Sequence, residues 1–386
     1  MRRLVALTCT VILVDTIFFT ALTPLLPHYA HTLGLGKTGA GVLFASYPAG
    51  VFLGAIPSGV AAGRFGAKAT VLAGVLTAAA CIFVFGLADA AWQLDTARFV
   101  QGVASAFSWT GALVWLVSEA PVERRGSVIG AAFGAAAGGA LLGPLVGGVA
   151  SVAGLAGTFV TLAVLSLGVA VWAALTPSHR PGELQPLAYL LRVVQHGDVR
   201  LAAWFTLLPG LLFGSLSVLA PLRLSELGMG AVGISAVFLV AAAVETVTNT
   251  LLGKAADRRG AVVPLLWGLL ASIGVSLLLP WPERQAVLAV VVILAGPSFA
   301  AFFTPGMTLL TQVTERRGLS LSYAFTLVSL AWAPGEAAGA AGAGALAGAT
   351  SDALPYLVLA IVCALTLAAL WRRRSSIVAA PSAGTA

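Results

Sequence analysis

Charged residues are scarce in this chain: Asp, Glu, Lys and Arg fill 9% of its 386 positions, against 59% for apolar residues. A soluble globular domain is about one quarter charged, and no soluble fold could hide this much apolar surface. Lysine occurs three times and asparagine once, so arginine carries most of the positive charge. The three cysteines, Cys9, Cys81 and Cys363, lie inside apolar runs with no CxxC spacing, which implies neither a disulfide framework nor a metal site. The four histidines, His28, His31, His179 and His196, fall in loops at scattered spacing, without a Ser-His-Asp set, a metal-ligand cluster or a phosphate-cradling loop. The chain is therefore read as no enzyme and as needing no cofactor or metal. It also lacks the ring of repeated filter residues that a channel would need.

What it has is apolar runs of about 20 residues along its whole length, without the weak alternation of outer-membrane strands. Twelve spans are predicted, at 4–26, 40–62, 69–88, 93–118, 127–150, 154–175, 200–222, 232–253, 262–280, 286–310, 319–346 and 354–371. The run after Arg3 resembles a secretory leader, but it continues past Asp15 to full span length with no small-x-small cleavage site, and is read as the first span. The net charge of +7 does not point to nucleic acid. Of the Lys and Arg residues, only Lys37, Arg98, Arg223 and Arg284 miss one alternate set of loops. That asymmetry predicts a multi-pass protein of the plasma membrane with both termini cytoplasmic, and arginine-over-lysine usage suggests a bacterial inner membrane.

The longest polar break, 176–199, divides the spans six and six and contains a short amphipathic helix at Leu187–Val194. The expected organisation is an all-α membrane protein of two six-helix pseudo-repeat bundles, 1–175 and 200–371, joined by that cytoplasmic linker and followed by a cytoplasmic tail, 372–386. The halves repeat at nearly one offset. Gly59-Val-Ala-Ala-Gly-Arg64-Phe-Gly66-Ala-Lys68 matches Gly253-Lys-Ala-Ala-Asp257-Arg258-Arg-Gly260, and Glu123-Arg124-Arg125-Gly126 matches Glu315-Arg316-Arg317-Gly318. A parallel repeat of this kind places a binding site near the midplane between two rocking halves.

These residues resemble the major facilitator superfamily, and within it the twelve-span drug/proton antiporter branch. Gly59, Arg64, Gly66 and Lys68 fit the family's loop between spans 2 and 3, although Gly63 stands where the family has Asp; the second copy keeps the acid as Asp257. Arg98-Phe-Val-Gln101-Gly102 fits the fourth-span pattern, and Gly139-Ala-Leu-Leu-Gly143-Pro144-Leu-Val-Gly147-Gly148 fits the fifth-span antiporter pattern. The resemblance implies that spans 1, 4, 7 and 10 line a cavity and that spans 2, 5, 8 and 11 form the seam between halves.

Asp15 sits near the middle of the first span. A charge there costs about 2.5–3.5 kcal/mol on insertion scales, so the acid is read as facing a wet cavity, pairing with a cation or carrying a proton; the plainer alternative is a helix-bonding acid. Glu245 and Glu336 are the other in-span acids, and the three are the proton-coupling candidates. Arg98, Gln101, Ser105 and Ser108 share one helical face, and with Asp15 they are the substrate-cavity candidates. Trp109 and Trp115 on span 4 and Phe299, Phe302 and Phe303 on span 10 extend that set as an aromatic wall. Arg98 needs an acid or carbonyls when buried, and Asp15 is its expected partner. Glycines at Gly126, Gly130, Gly134 and Gly138, then Gly139, Gly143 and Gly147, predict a tight seam that Pro144 hinges. Asp257 and Arg258 are expected in a cytoplasmic latch.

The function expected is proton-coupled export of small amphipathic or lipophilic molecules by a monomer working through alternating access. A nutrient-uptake symporter and a non-transporting receptor of the same fold are the alternatives.

Overall fold

The structure is a computed structural model that describes residues 1–178, 185–259 and 262–378. The described residues form helices joined by short turns. In chain order they are α1 (Arg2–Thr32), α2 (Gly36–Phe65), α3 (Ala67–Leu87), α4 (Ala91–Glu119), α5 (Arg125–Ala153), α6 (Leu155–Leu175), α7 (Leu187–Val194), α8 (Gly197–Glu226), α9 (Ala231–Arg259), α10 (Val262–Leu278), α11 (Gln285–Ala300), α12 (Phe303–Arg316), α13 (Leu321–Ala349) and α14 (Ala353–Val378). Among the described residues, ten stretches are long and apolar enough to cross a bilayer, with 285–316 counted as one. Two of the twelve expected spans are not among them. One is α10, which has 17 residues, and the other is α13, whose apolar run is interrupted by Pro334, Gly335 and Glu336.

The tenth expected span is broken. Pro305 has no N–H to continue the ladder, and the helix stops at Ala300 and restarts at Phe303. By contrast α1 runs through Pro24 and Pro27 to Thr32, past its expected end. The linker was expected to carry a short helix, and α7 is that helix. It buries Leu190 and Val193 against Leu310, Tyr323 and Leu327, while Gln185 Nε2 donates to Gly318 O at 2.7 Å and accepts from Ser320 N at 2.8 Å through Oε1. The linker residues 179–184, His179 among them, and the tail residues 379–386 lie outside the described residues.

Packing explains why so many positions are glycine. A Cβ on Gly50 would run into Phe99 O, and one on Gly102 into Tyr47 O, so α2 and α4 touch backbone to backbone. Gly335 and Gly339 let α13 approach Leu207 and Leu211 of α8 in the same way. Without a hydrophobic drive between helices in lipid, such close approach supplies the van der Waals contact that holds them. Gly66, at φ 89°, makes the turn between α2 and α3 in a left-handed conformation that disfavours any side chain.

The two halves meet along α2 and α13 and along α5 and α9. At the end away from the termini, Gly41 abuts Ala340 O and Gly344, and Lys37 of α2 binds Asp352 (2.7 Å) and Glu226 (3.1 Å). At the end carrying the termini, Thr326 Oγ1 lies 3.2 Å from Ala55 O and Gly59 packs on Thr326 and Tyr323.

The expected tight glycine seam is only half made. Gly139, Gly143 and Gly147 pack on α1 at Thr16, Thr20 and Ala21, and Gly148 meets Ser235 of α9, but nothing lies within 4 Å of a Cβ on Gly126, Gly130 or Gly134. Val128 and Ala132 are nonetheless buried in that half, so it packs through side chains on other faces and not through these glycines.

Candidate functional site

Because α1 and α4 run antiparallel, residues early in α1 face residues late in α4. Asp15 lies opposite Ser105 and Trp109, while Phe18 and Phe19 lie opposite Arg98 and Gln101. The polar face expected on α4 points at α1, and Tyr47 joins it from α2, brought close by the Gly50 and Gly102 contacts.

Asp15 is buried, and its Oδ2 accepts from Ser105 Oγ (2.7 Å), Trp109 Nε1 (2.9 Å) and Tyr47 OH (3.2 Å). Tyr47 OH and Ser105 Oγ are 2.7 Å apart. Each hydroxyl has one proton, so the short contacts order as Tyr47 donating to Ser105 and Ser105 donating to Asp15, with the 3.2 Å contact as a weaker branch. Oδ1 has no protein partner, which makes it the carboxyl oxygen free to take a proton. Asp15 borders a cavity of about 20 Å³ walled by α1, α3, α4 and α6, to which Gln101, Ser108 and Ser166 also contribute.

Arg98 is wholly buried without an acid in contact. Arg98 and Asp15 interact electrostatically but make no direct ion pair, because Arg98 sits two helical turns, about 10.5 Å, from Ser105 along α4. The guanidinium instead donates from Nη1 to Gln101 Oε1 at 2.9 Å, and reaches Phe18 O and Phe19 O at 3.4 Å. It also lies over the rings of Tyr47 (4.9 Å), Phe18 (5.6 Å) and Phe19 (5.8 Å), contacts worth about 0.5–2 kcal/mol each. Tyr47 thus spans the gap, with its ring at Arg98 and its hydroxyl at Asp15. The sequence reading missed this residue. Its signal was a phenol in the middle of an apolar span, where the hydroxyl must find a partner.

The other candidates divide. Glu336 is buried on α13 within electrostatic reach of Arg98, and its Oε2 has no partner. Trp332, one turn before it, meets Phe19 edge-on at 6.0 Å. This is where the second half touches the cluster. Glu245 is elsewhere, half-buried on α9 with Oε2 3.6 Å from where a Cβ on Gly296 of α11 would lie. Phe299 packs edge-on against Phe213 of α8 at 5.9 Å, and Phe302 lies against Gly268 of α10. Both are buried against α8 and α10, so with Phe303 at the head of α12 the span-10 aromatics do not join Asp15. Trp115 is buried among Val71, Leu116 and Val128, two turns past Ser108.

In the motif loop, Lys68 Nζ donates to Ala174 O (2.6 Å) and Thr176 O (2.8 Å), capping the C-terminus of α6. Arg64 is exposed over the Phe65 ring. The latch residues Asp257 and Arg258 fall in α9, but their side chains lie outside the described residues. Among those residues no group of three or more His, Cys, Asp or Glu could hold a metal.

The family described as Major Facilitator Superfamily matches residues 8–336. Among solved structures, a D-xylose-proton symporter superposes with a TM-score of 0.77 at 13% identity, covering 96% of this chain and 97% of that one. A POT family transporter in complex with a thioalcohol-conjugated peptide gives 0.75 at 14% identity, covering 97% and 96%. A mutant of the nucleoside transporter NupG gives 0.72 at 16%, covering 95% and 99%. At these identities the likeness is one of fold alone. No curated protein matches in sequence. The match over most of the chain, on a bundle of membrane-length helices, makes this protein a multi-pass membrane transporter of the Major Facilitator Superfamily, not an enzyme.

Proposed function

We propose that the chain exports small amphipathic or lipophilic molecules in exchange for protons, by alternating access between two six-helix bundles in a twelve-span arrangement. The observation that carries this reading is Asp15, a carboxyl near mid-span with one oxygen fully engaged and the other free of protein partners. A group so placed can load and release a proton as its surroundings change, and the Phe19, Tyr47 and Trp332 rings beside it offer an apolar, aromatic contact surface to a substrate. The complete fifth-span glycine-proline pattern favours exchange over co-transport.

The orientation proposed puts the termini in the cytoplasm of a bacterial cell, on the basis of the arginine-rich loops at that end. In that frame the ion pairs of Lys37 close the outer face.

The test is flux in vesicles. Purified protein, reconstituted and screened against amphipathic compounds, is expected to move substrate against an imposed proton gradient, and Asp15→Asn is expected to lose the gradient-driven component. Substrate and protons moving together would instead identify a symporter. Absence of any flux, with or without a gradient, would identify a non-transporting receptor of the same fold.

A further inference from the structure

Four buried polar atoms at the site lack protein partners, Asp15 Oδ1, Gln101 Nε2, Arg98 Nε and Glu336 Oε2, and of these residues Asp15 and Gln101 line the same cavity of about 20 Å³. The orientation of the Gln101 amide is not arbitrary. Its Oε1 accepts from Arg98 Nη1 at 2.9 Å, and a flipped amide would set NH₂ against guanidinium. Gln101 therefore keeps an unpartnered donor and Asp15 an unpartnered acceptor, and both residues line the cavity. A sodium ion needs about five or six oxygens and is repelled by an N–H donor. Water suits both groups, because it accepts from one and donates to the other, and a space of this size admits about one molecule.

We infer that this cavity is a one-water site linking Gln101 Nε2 to Asp15 Oδ1, which lets Asp15 take a proton and refuses sodium. The inference rests on the reading of Asp15 as the coupling acid. With Asp15 ionised, the water donates to Oδ1. When a proton from solvent binds Oδ1, the new O–H donates to the water, which turns one of its own hydrogens to Ser166 Oγ. That hydroxyl is able to accept because its own proton goes to Leu162 O at 2.9 Å. The ionisable groups facing Asp15 are Tyr47 from α2 and Arg98 from α4, while α6 has no ionisable residue and α3 faces the cavity with Val75, Ala78 and Ile82. Gln101 is then a positioning residue: it holds the water, and Arg98 holds Gln101.

The test is infrared difference spectroscopy of the reconstituted full chain on a pH jump, with Asp15 assigned as the protonated-carboxyl band that Asp15→Asn removes. Gln101→Met removes the donor, and Ala78→Val fills the cavity without touching either partner. Both are expected to move the band to higher frequency, because the protonated carboxyl loses the hydrogen bond that its O–H makes to the water. Replacing potassium by sodium at constant ionic strength is expected to leave it in place. A wild-type frequency in both variants, a band that sodium abolishes, or no Asp15 band at any pH would overturn the inference.

Fluxes separate this failure from that of the transport reading. If Asp15→Asn transports normally but the band responds as expected, the water site stands and the coupling role falls. If Asp15→Asn is uncoupled but neither variant moves the band, only the water site falls. Should Asp15→Asn fail to fold, carbon-13 labelling of aspartate assigns the band instead.

Discussion

At the scale of single residues, the site is a division of labour between the two oxygens of one carboxyl. Oδ2 is held by Ser105, Trp109 and Tyr47, and this fixes the direction in which Oδ1 is presented. Tyr47 is the residue that makes Asp15 and Arg98 one unit, since its hydroxyl belongs to the acid and its ring face to the cation. Tyr47→Phe keeps the ring, its stacking on Phe19 at 4.6 Å and most of the contact with Arg98. It removes the donation to Ser105 and the weaker branch to Asp15, a neutral hydrogen bond worth about 0.5–1.5 kcal/mol. The expected outcome is a normally folded protein whose proton-driven flux falls about two- to tenfold, read in vesicles beside wild type. Undiminished coupling would remove Tyr47 from the mechanism.

At the scale of helices, close backbone contact decides which side chains can meet. The Gly50 and Gly102 contacts bring α2 onto α4 and so place Tyr47 between Ser105 and Arg98. A methyl at Gly102 would force those backbones apart, and overpacking of this kind costs about 1–3 kcal/mol. Gly102→Ala is therefore expected to lower the melting temperature in detergent. Gly134→Ala, where nothing lies within 4 Å, is expected to leave it unchanged or raise it slightly, since alanine suits a helix better than glycine by about 1 kcal/mol. Equal losses in both variants would mean that α5 is packed along its whole length. The same comparison explains why a row of glycines every four residues misled the sequence reading. The spacing says that a close approach is possible, and only the neighbour's position says whether it is made.

At the scale of the whole molecule, the contacts between halves are unequal at the two ends. Lys37 ties α2 to Asp352 before α14 and to Glu226 at the end of α8, with Arg223 also on Glu226 at 3.1 Å. Lys37 and Arg223 are two of the four cations outside the arginine-rich loops, and their place here gives them a use that topology did not. The groups are partly exposed, so the pairs are worth about 0.5–1 kcal/mol. Lys37→Met is expected to shift the population toward opening at this end about two- to fivefold. A cysteine placed by Thr38→Cys in a chain without its native cysteines should then react faster with an impermeant thiol reagent. An unchanged labelling rate would show that the Gly41–Gly344 contact alone keeps this end shut.

Read alone, the chain already dictated helices of membrane length, the short amphipathic α7, the place of Asp15 midway along α1 and the shared face of Arg98, Gln101, Ser105 and Ser108, because hydropathy and the 3.6-residue repeat are local properties that need no neighbour. Which partner each polar group chose was settled by the antiparallel register of α1 on α4 and by the glycine contacts of α2. These set Arg98 against Phe18 and Phe19 and inserted Tyr47 between it and Asp15, while packing of Phe299 on Phe213 and of Phe302 at Gly268 drew those rings away. Register and interhelical distance are relations between segments far apart in sequence. A buried charge announces that it needs a partner, but only packing in three dimensions names it.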